Sequence, residues 1–199
     1  MNDENSEFIQ PKVTQIDNLF SGSVYTWIHE RFTDPMLTWG TYPVSKARDA
    51  RLYDWYQYTH MVYDNDIELS DYYHQCLMIL LTALDRSGRQ LDRLFKIRIV
   101  NSLPGGLDRA QPHIDLVGPH QTGLFFPEST DGDTVIMQER SWLQTLDTPE
   151  TWTPAVKLAA QGNTWYDFDG THWRYTGRPE KFDHRFCVIF NFVAKPKPE

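Results

Sequence analysis

The sequence predicts an α+β protein that is mainly β, an antiparallel core backed by helices from the N-terminal portion. Three observations carry this. The pattern changes near Leu94, from mostly helical spacing before it to short strands after it. The later half holds eight short β-forming segments with no helix between them, which argues for a barrel or a sandwich. Hydrophobic residues make up 40% of the 199 and aromatics 14%, enough to bury a core. The expected organisation is a helical support region over 1–94, a β core over 95–192 and a loose tail over 193–199, together one compact unit.

Ile16, Phe20, Val24, Trp27 and Ile28 recur at helical intervals and predict a first helix, weakened by Gly22 within it. From Pro35 to Asp66 the chain is rich in aromatics, among them Trp39, Tyr53, Trp55 and Tyr63, but has no clear period. Ser70-Asp71 reads as a cap ahead of a second helix over Tyr72–Leu84, with Gly88 as its stop. The predicted strands are Phe95–Leu103, Pro112–Val117, Thr122–Phe126, Thr134–Gln138, Ala155–Ala159, Thr164–Phe168, His172–Tyr175 and Arg185–Phe192. Pro104-Gly105-Gly106, Asp131-Gly132-Asp133, Gly162-Asn163 and Asp169-Gly170 mark turns. Trp142 to Pro154 reads as a surface excursion, and the polar ends, Met1–Ser6 and Lys195–Glu199, as loose.

The chain carries 27 acidic against 19 basic residues, a formal charge of −8. Duplex nucleic acid is therefore a disfavoured partner, since its binding rests on neutralising phosphates. The cluster Arg86, Arg89, Arg93, Lys96 and Arg98 reads as a solvated helix face and strand edge. Cys76 and Cys187 each lie in an apolar run and read as buried free thiols of a reducing compartment. No signal peptide stands out, and the longest apolar run, Cys76–Leu81, is far too short to span a bilayer. The expectation is a soluble, cytoplasmic protein with no membrane partner.

His113 and Asp115 are two apart in Gln111-Pro112-His113-Ile114-Asp115, so on a strand they share a face. His172 follows the Phe168-Asp169-Gly170 turn, and Arg185 opens the last strand. Two imidazoles and a carboxylate are the ligand set that holds Fe(II) and leaves part of its coordination sphere open. A lone His-x-Asp is a weak signal; the turn at Asp131-Gly132-Asp133-Thr134 and the placement of His172 and Arg185 strengthen it. On the last strand Arg185, Cys187 and Ile189 share one face. Phe186, Val188, Phe190 and Phe192 share the other and are expected to pack on the helices.

Taken together these residues resemble the Fe(II)/2-oxoglutarate-dependent dioxygenases, in particular the small prolyl-4-hydroxylase-like and phage-type members, over 95–192. The resemblance implies a double-stranded β-helix, a jelly-roll or cupin-like barrel with iron at its mouth. It implies His113, Asp115 and His172 as iron ligands and Arg185 as the partner of the distal carboxylate of 2-oxoglutarate. It also implies oxidative decarboxylation with O2 to succinate, and hydroxylation rather than halogenation, because the carboxylate of Asp115 is present. Two departures stand out. Cys187 sits where many relatives carry serine, which leaves Thr134 or a tyrosine to supply the hydroxyl. His172 follows its turn more closely than in many relatives, and His184 competes for the distal position; it adjoins Arg185 on the same strand and should face the other way.

Trp173 and Arg174 follow the distal ligand and are candidate substrate contacts, with barrel packing an equal account of Trp173. His29, His60 and His74 read as structural, His120 as a solvated loop residue, and Asp131 and Asp133 as turn formers. The implied substrate is a peptidyl prolyl residue, another protein side chain or a small metabolite. Pro35–Asp66 and Trp142–Pro154 are candidates for shaping its pocket. Two other readings stay open: a cupin-like metal isomerase or hydrolase, and a non-catalytic jelly-roll module.

Overall fold

The computed structural model describes residues 10–34, 37–43, 56–105, 112–140 and 152–198. In chain order the elements are β1 (Val13–Ile16), α1 (Gly22–Phe32), β2 (Gly40–Pro43), β3 (Tyr56–Asp64), β4 (Ile67–Glu68), α2 (Tyr73–Arg86), β5 (Arg89–Ser102), β6 (Gln121–Phe126), β7 (Thr134–Arg140), β8 (Pro154–Leu158), β9 (Thr164–Asp169), β10 (His172–Thr176) and β11 (Arg185–Pro196). They form one large antiparallel sheet in the order β1-β9-β6-β11-β5-β3-β2, with β4 on β3, and a smaller sheet β10-β7-β8. The architecture is the predicted mainly β fold, a jelly-roll of two facing sheets with helices on the outside.

Alternation along the central strands builds the layers. On β5 Ile97 and Ile99, and on β11 Val188, Phe190 and Phe192, join Ile28, Phe32, Ile79, Leu80 and Leu84 of the two helices in one buried cluster. The opposite faces contribute Val100, Cys187 and Ile189 to a second cluster with Leu124, Phe126, Ile136 and Phe168, between the sheets. The expected split of β11 is therefore present, with Val188, Phe190 and Phe192 towards the helices, Phe186 packed on Trp39 instead, and Arg185 towards the barrel.

Seven of the eight predicted strands correspond to β5 to β11. The exception is Pro112–Val117. That segment makes only an isolated bridge, His113 to Arg174, and then bends from Asp115 to Pro119. Pro112 removes a donor at its start, and Gly118 with φ +88° turns it away from the sheet. The helical reading of the N-terminal portion needs a larger correction. The first helix begins at Gly22, not Ile16, and Ile16 closes β1, which pairs with β9. The aromatic stretch after Pro35 contains β2 and β3, and β3 zips along β5 from Gln57↔Ser102 to Asp64↔Lys96. Tyr, Thr and Val are good strand formers on a half-buried surface, so the aromatics mark a strand where no period was visible.

The second helix lies where expected. Ser70 serves its start by accepting the Tyr72 amide on its hydroxyl at 3.2 Å and the Tyr73 amide on its carbonyl at 3.0 Å. Gly88, at φ +69°, ends it. Tyr53, Trp55, Gly106 and the Trp142–Thr151 part of the expected excursion lie outside the described residues, as do Met1–Ser6 and Glu199. The expected loose tail is instead strand as far as Pro196.

Gly123 on β6 has one role: a Cβ there would lie 2.4 Å from the fully buried Trp165 ring. Gly123→Ala is expected to destabilise the protein by about 1–3 kcal/mol through overpacking. Urea unfolding measures this, and an unchanged midpoint would mean that the indole can move aside.

Candidate functional site

Asp115 is the most heavily engaged of the expected site residues. Its side chain is 2% exposed. Arg98 on β5 donates to Oδ1 at 2.6 Å, and Arg174 on β10 donates to Oδ2 at 2.5 Å. Asn191 on β11 donates to the same Oδ2 at 3.1 Å and bridges to the Thr122 hydroxyl at 3.2 Å. Burial alone would raise the acid's pKa. Arg174 and Arg98, then His113 and Asn191, overcome that and hold it well below the usual carboxylate range. His113 Nε2 lies 3.8 Å from Asp115 Oδ1. The predicted pair is thus brought together.

His172 is not brought to it. The ladder between β10 and β7 is irregular here: His172 pairs with Arg140 and Arg174 with Ile136, so two steps on β10 face four on β7. Arg174, opposite His113 across the bridge, enters the barrel and reaches Asp115. His172 is buried with Nδ1 on the Met137 carbonyl at 2.9 Å, and burial lowers its pKa. It lines a cavity of about 470 Å³ with His120, Arg140, Asp169 and Arg89, which neither His113 nor Asp115 borders. Among the described residues no three histidine, cysteine or carboxylate side chains converge as a metal site. As placed, the donors supply two positions of an iron centre and not the third, and the carboxylate among them already holds two guanidiniums. The set does not fit a three-ligand iron site.

His184 is excluded from the role for another reason. It pairs with Glu128 at 2.8 Å and stacks edge-on against Phe186.

Arg185 lies buried on the barrel side of β11, where the strand alternation predicts it. It is 2% exposed, with Nε on the Gly132 carbonyl at 2.5 Å, a terminal nitrogen on the Thr134 hydroxyl at 2.9 Å, and the guanidinium over the Phe126 ring at 4.9 Å. These hydrogen-bond and ring partners are all neutral. Of the hydroxyls expected near Arg185, Thr134 or a tyrosine, Thr134 is the one that accepts its hydrogen bond. Gly132 makes the contact possible: its φ is +92°, and a Cβ would meet the Gly177 carbonyl at 2.7 Å. Asp131 and Asp133 are turn formers as expected. Asp131 accepts the amides of Glu180 and Lys181, and Asp133 accepts that of Ala160 while pairing with Lys157. Cys187 lies inside the barrel with its thiol pKa pushed up by burial, near Arg185, Arg174, Arg98 and Asp115.

Other expectations are corrected. Arg174 is held on Asp115, and Trp173 packs edge-to-face on Trp152 at 5.1 Å. His120 is 6% exposed rather than solvated, with Nδ1 on the Gly118 carbonyl. Arg89 pairs with the buried Asp167, and Arg98 with Asp115, so the basic cluster is not simply a solvated face. His60, bonded to the Thr38 carbonyl and Ser70 hydroxyl, and His29, beside Glu128, lie in the N-terminal portion as structural residues.

Sequence reasoning missed three barrel residues. Asn191 continues the 185, 187, 189 alternation, and Arg98 alternates with Ile97 and Ile99, so both were open to the period-two rule. Ser102 is the third: fully buried, paired with Arg185 across the ladder, with its hydroxyl unpartnered among the described residues.

No protein-family model matches the sequence, and no curated protein is similar to it in sequence. Solved structures are similar in fold. A 2OG-Fe(II) oxygenase family oxidoreductase from Burkholderia pseudomallei matches with a TM-score of 0.58 at 12% identity, over 91% of this chain and 84% of that one. A prolyl-4-hydroxylase from Pseudomonas putida matches at 0.56 and 10% identity, over 92% of each chain. The epimerase SnoN in complex with Fe3+, alpha ketoglutarate and nogalamycin RO matches at 0.59 and 11%, over 95% of this chain and 82% of that one. The chain has the double-stranded β-helix fold of the 2-oxoglutarate/Fe(II) oxygenases. No described helix is long and apolar enough to cross a membrane.

Asp115→Asn is expected to lower stability by about 3–5 kcal/mol at pH 7, because it leaves two guanidiniums facing a neutral amide. A depressed carboxylate contributes fully above its ordinary pKa of about 4, and the contribution fades as pH falls towards the folded value. The gap between wild type and variant should therefore narrow below about pH 4. Urea unfolding at pH 7 and in acid checks both, and a gap independent of pH would contradict the ion-pair account.

Proposed function

We propose that the barrel binds 2-oxoglutarate or a closely similar dicarboxylate, with Arg185 as the anchor of its distal carboxylate and Thr134 beside it. The observation that carries this is Arg185 itself. A fully buried guanidinium whose hydrogen-bond partners among the described residues are neutral, with Asp133 acting on it only through space, is poorly compensated for its desolvation, and its planar fork suits a carboxylate. Cys187 lines the same interior as an apolar wall.

The fuller reading is an Fe(II)- and 2-oxoglutarate-dependent dioxygenase that hydroxylates a peptidyl prolyl residue, another protein side chain or a small metabolite. Two observations favour it: the oxygenase fold, and the approach of His113 to Asp115. His113 and Asp115 are the metal donors in that reading, and His172 would have to turn inward to complete them. The metal, when bound, supplies O2 activation. The substrate range of similar folds runs from prolyl residues to nogalamycin RO, so fold alone does not choose between peptide and metabolite. Two buried free thiols suit a reducing, cytoplasmic setting.

Anaerobic titration with Fe(II) and then 2-oxoglutarate, read in the visible and by calorimetry, tests both readings. The first predicts 2-oxoglutarate binding that Arg185→Gln weakens by about ten- to a hundredfold, the value of a charge-assisted pair. The second predicts in addition a metal-dependent charge-transfer band that His172→Ala abolishes. Metal binding without 2-oxoglutarate binding would favour a cupin-like enzyme, and neither would leave a non-catalytic module.

A further inference from the structure

Three guanidiniums face the barrel interior: Arg98, Arg174 and Arg185. All three act electrostatically on the Cys187 thiol between them, as does Asp115, so the four charges share one enclosure. Asp115 is the carboxylate bonded within that enclosure, and Asp133, which also acts on Arg185, is paired with Lys157, so among the described residues three cations against one anion leave two positive charges in excess. The surplus is notable in a chain of formal charge −8. Unpartnered polar atoms line the same interior. Ser102 Oγ lies beside Arg185, Arg98 Nε is buried, and Asn191 Oδ1 is buried next to Asp115, each without a hydrogen-bond partner among the described residues. Buried donors without acceptors are expensive, and a buried excess of cations more so.

Arg174 is the decisive residue. It stands directly opposite His113 across the bridge and extends to Asp115, so it occupies the place from which a third donor would join that pair. Its guanidinium puts a fixed positive charge where the oxygenase reading needs a ligand.

We propose that the barrel is a metal-independent site for a dicarboxylate dianion, in which Arg174, held on Asp115 with Arg98, replaces the third metal ligand and supplies positive charge at one end while Arg185 and Ser102 receive the carboxylate at the other. Two excess charges match a dianion of the 2-oxoglutarate class. Asp115 is then the counter-ion that fixes two arginines rather than a metal donor. The inference rests on the reading of Arg185 as a carboxylate anchor and departs from the iron-dependent one.

The test is calorimetric titration of the full chain with 2-oxoglutarate, once in excess EDTA and once with Mn(II). Binding in EDTA, unchanged on adding Mn(II), is the expected result. Arg174→Gln, with Asp115 still held by Arg98 and Asn191, should weaken it by about tenfold or more. Arg174→His places an imidazole opposite His113 and is expected to create Mn(II) binding that the wild type lacks, read by the electron paramagnetic resonance of free Mn(II). Circular dichroism establishes that both variants are folded. Binding that requires Mn(II) in the wild type, or that Arg174→Gln leaves unchanged, would overturn the proposal while the Arg185 anchor stands. No 2-oxoglutarate binding in either medium would remove the anchor reading and this inference with it. An Arg174→His variant that is folded and gains no Mn(II) binding would show that residue 174 is not the third-ligand position.

Discussion

A single buried carboxylate ties the two sheets together. Asp115 receives Arg98 from β5 and Asn191 from β11, both in the large sheet, and Arg174 from β10 in the small one. The loop that carries it has only a bridge to the neighbouring strand, so these side-chain bonds fix the mouth of the barrel more than any ladder does. Buried ion pairs add little net stability against an apolar alternative, but removing one member leaves the others stranded. Asp115 therefore constrains whatever chemistry the barrel can perform, because its oxygens are already committed.

The large sheet separates an apolar task from a polar one. The outward faces of β5 and β11 give Ile97, Ile99, Val188, Phe190 and Phe192 to the helices, and that buried layer holds the sheet in place. The inward faces are then free to carry Arg98, Ser102, Arg185 and Asn191, groups that no isolated strand could bury. Thr134 and Phe126 complete the cradle of Arg185 from β7 and β6. The polar interior is affordable because the hydrophobic work is done on the other face.

Much of this was legible in the chain. The alternation of β11 placed Arg185 inward and the phenylalanines outward, and the turn at Asp131-Gly132-Asp133 lies where its residues predicted. Of the hydroxyls the sequence offers to Arg185, Thr134 or a tyrosine, the fold supplies Thr134. The N-terminal strands were less accessible. β1 pairs with β9 and β3 with β5, and such pairings over long sequence separations leave no local period that distinguishes them from a loop or a helix start. His120 and Arg98 read as solvated in the sequence but are not, because exposure is decided by what covers a residue and not by its own neighbours in sequence.

The sequence by itself determined the mainly β class, the order of seven barrel strands and the inward arginine, since each follows from period, turn chemistry or i, i+2 geometry within one segment. Only the tertiary structure decided which residue of His172-Trp173-Arg174 enters the barrel. The register with β7 shifts between His172 and Arg174, Arg174 reaches Asp115 while His172 bonds the Met137 carbonyl, and such an irregularity is set by the two strands jointly. That local shift gives Asp115 a second guanidinium instead of a shared metal, because a side chain's direction depends on the register of its partner strand, which no single stretch of sequence contains.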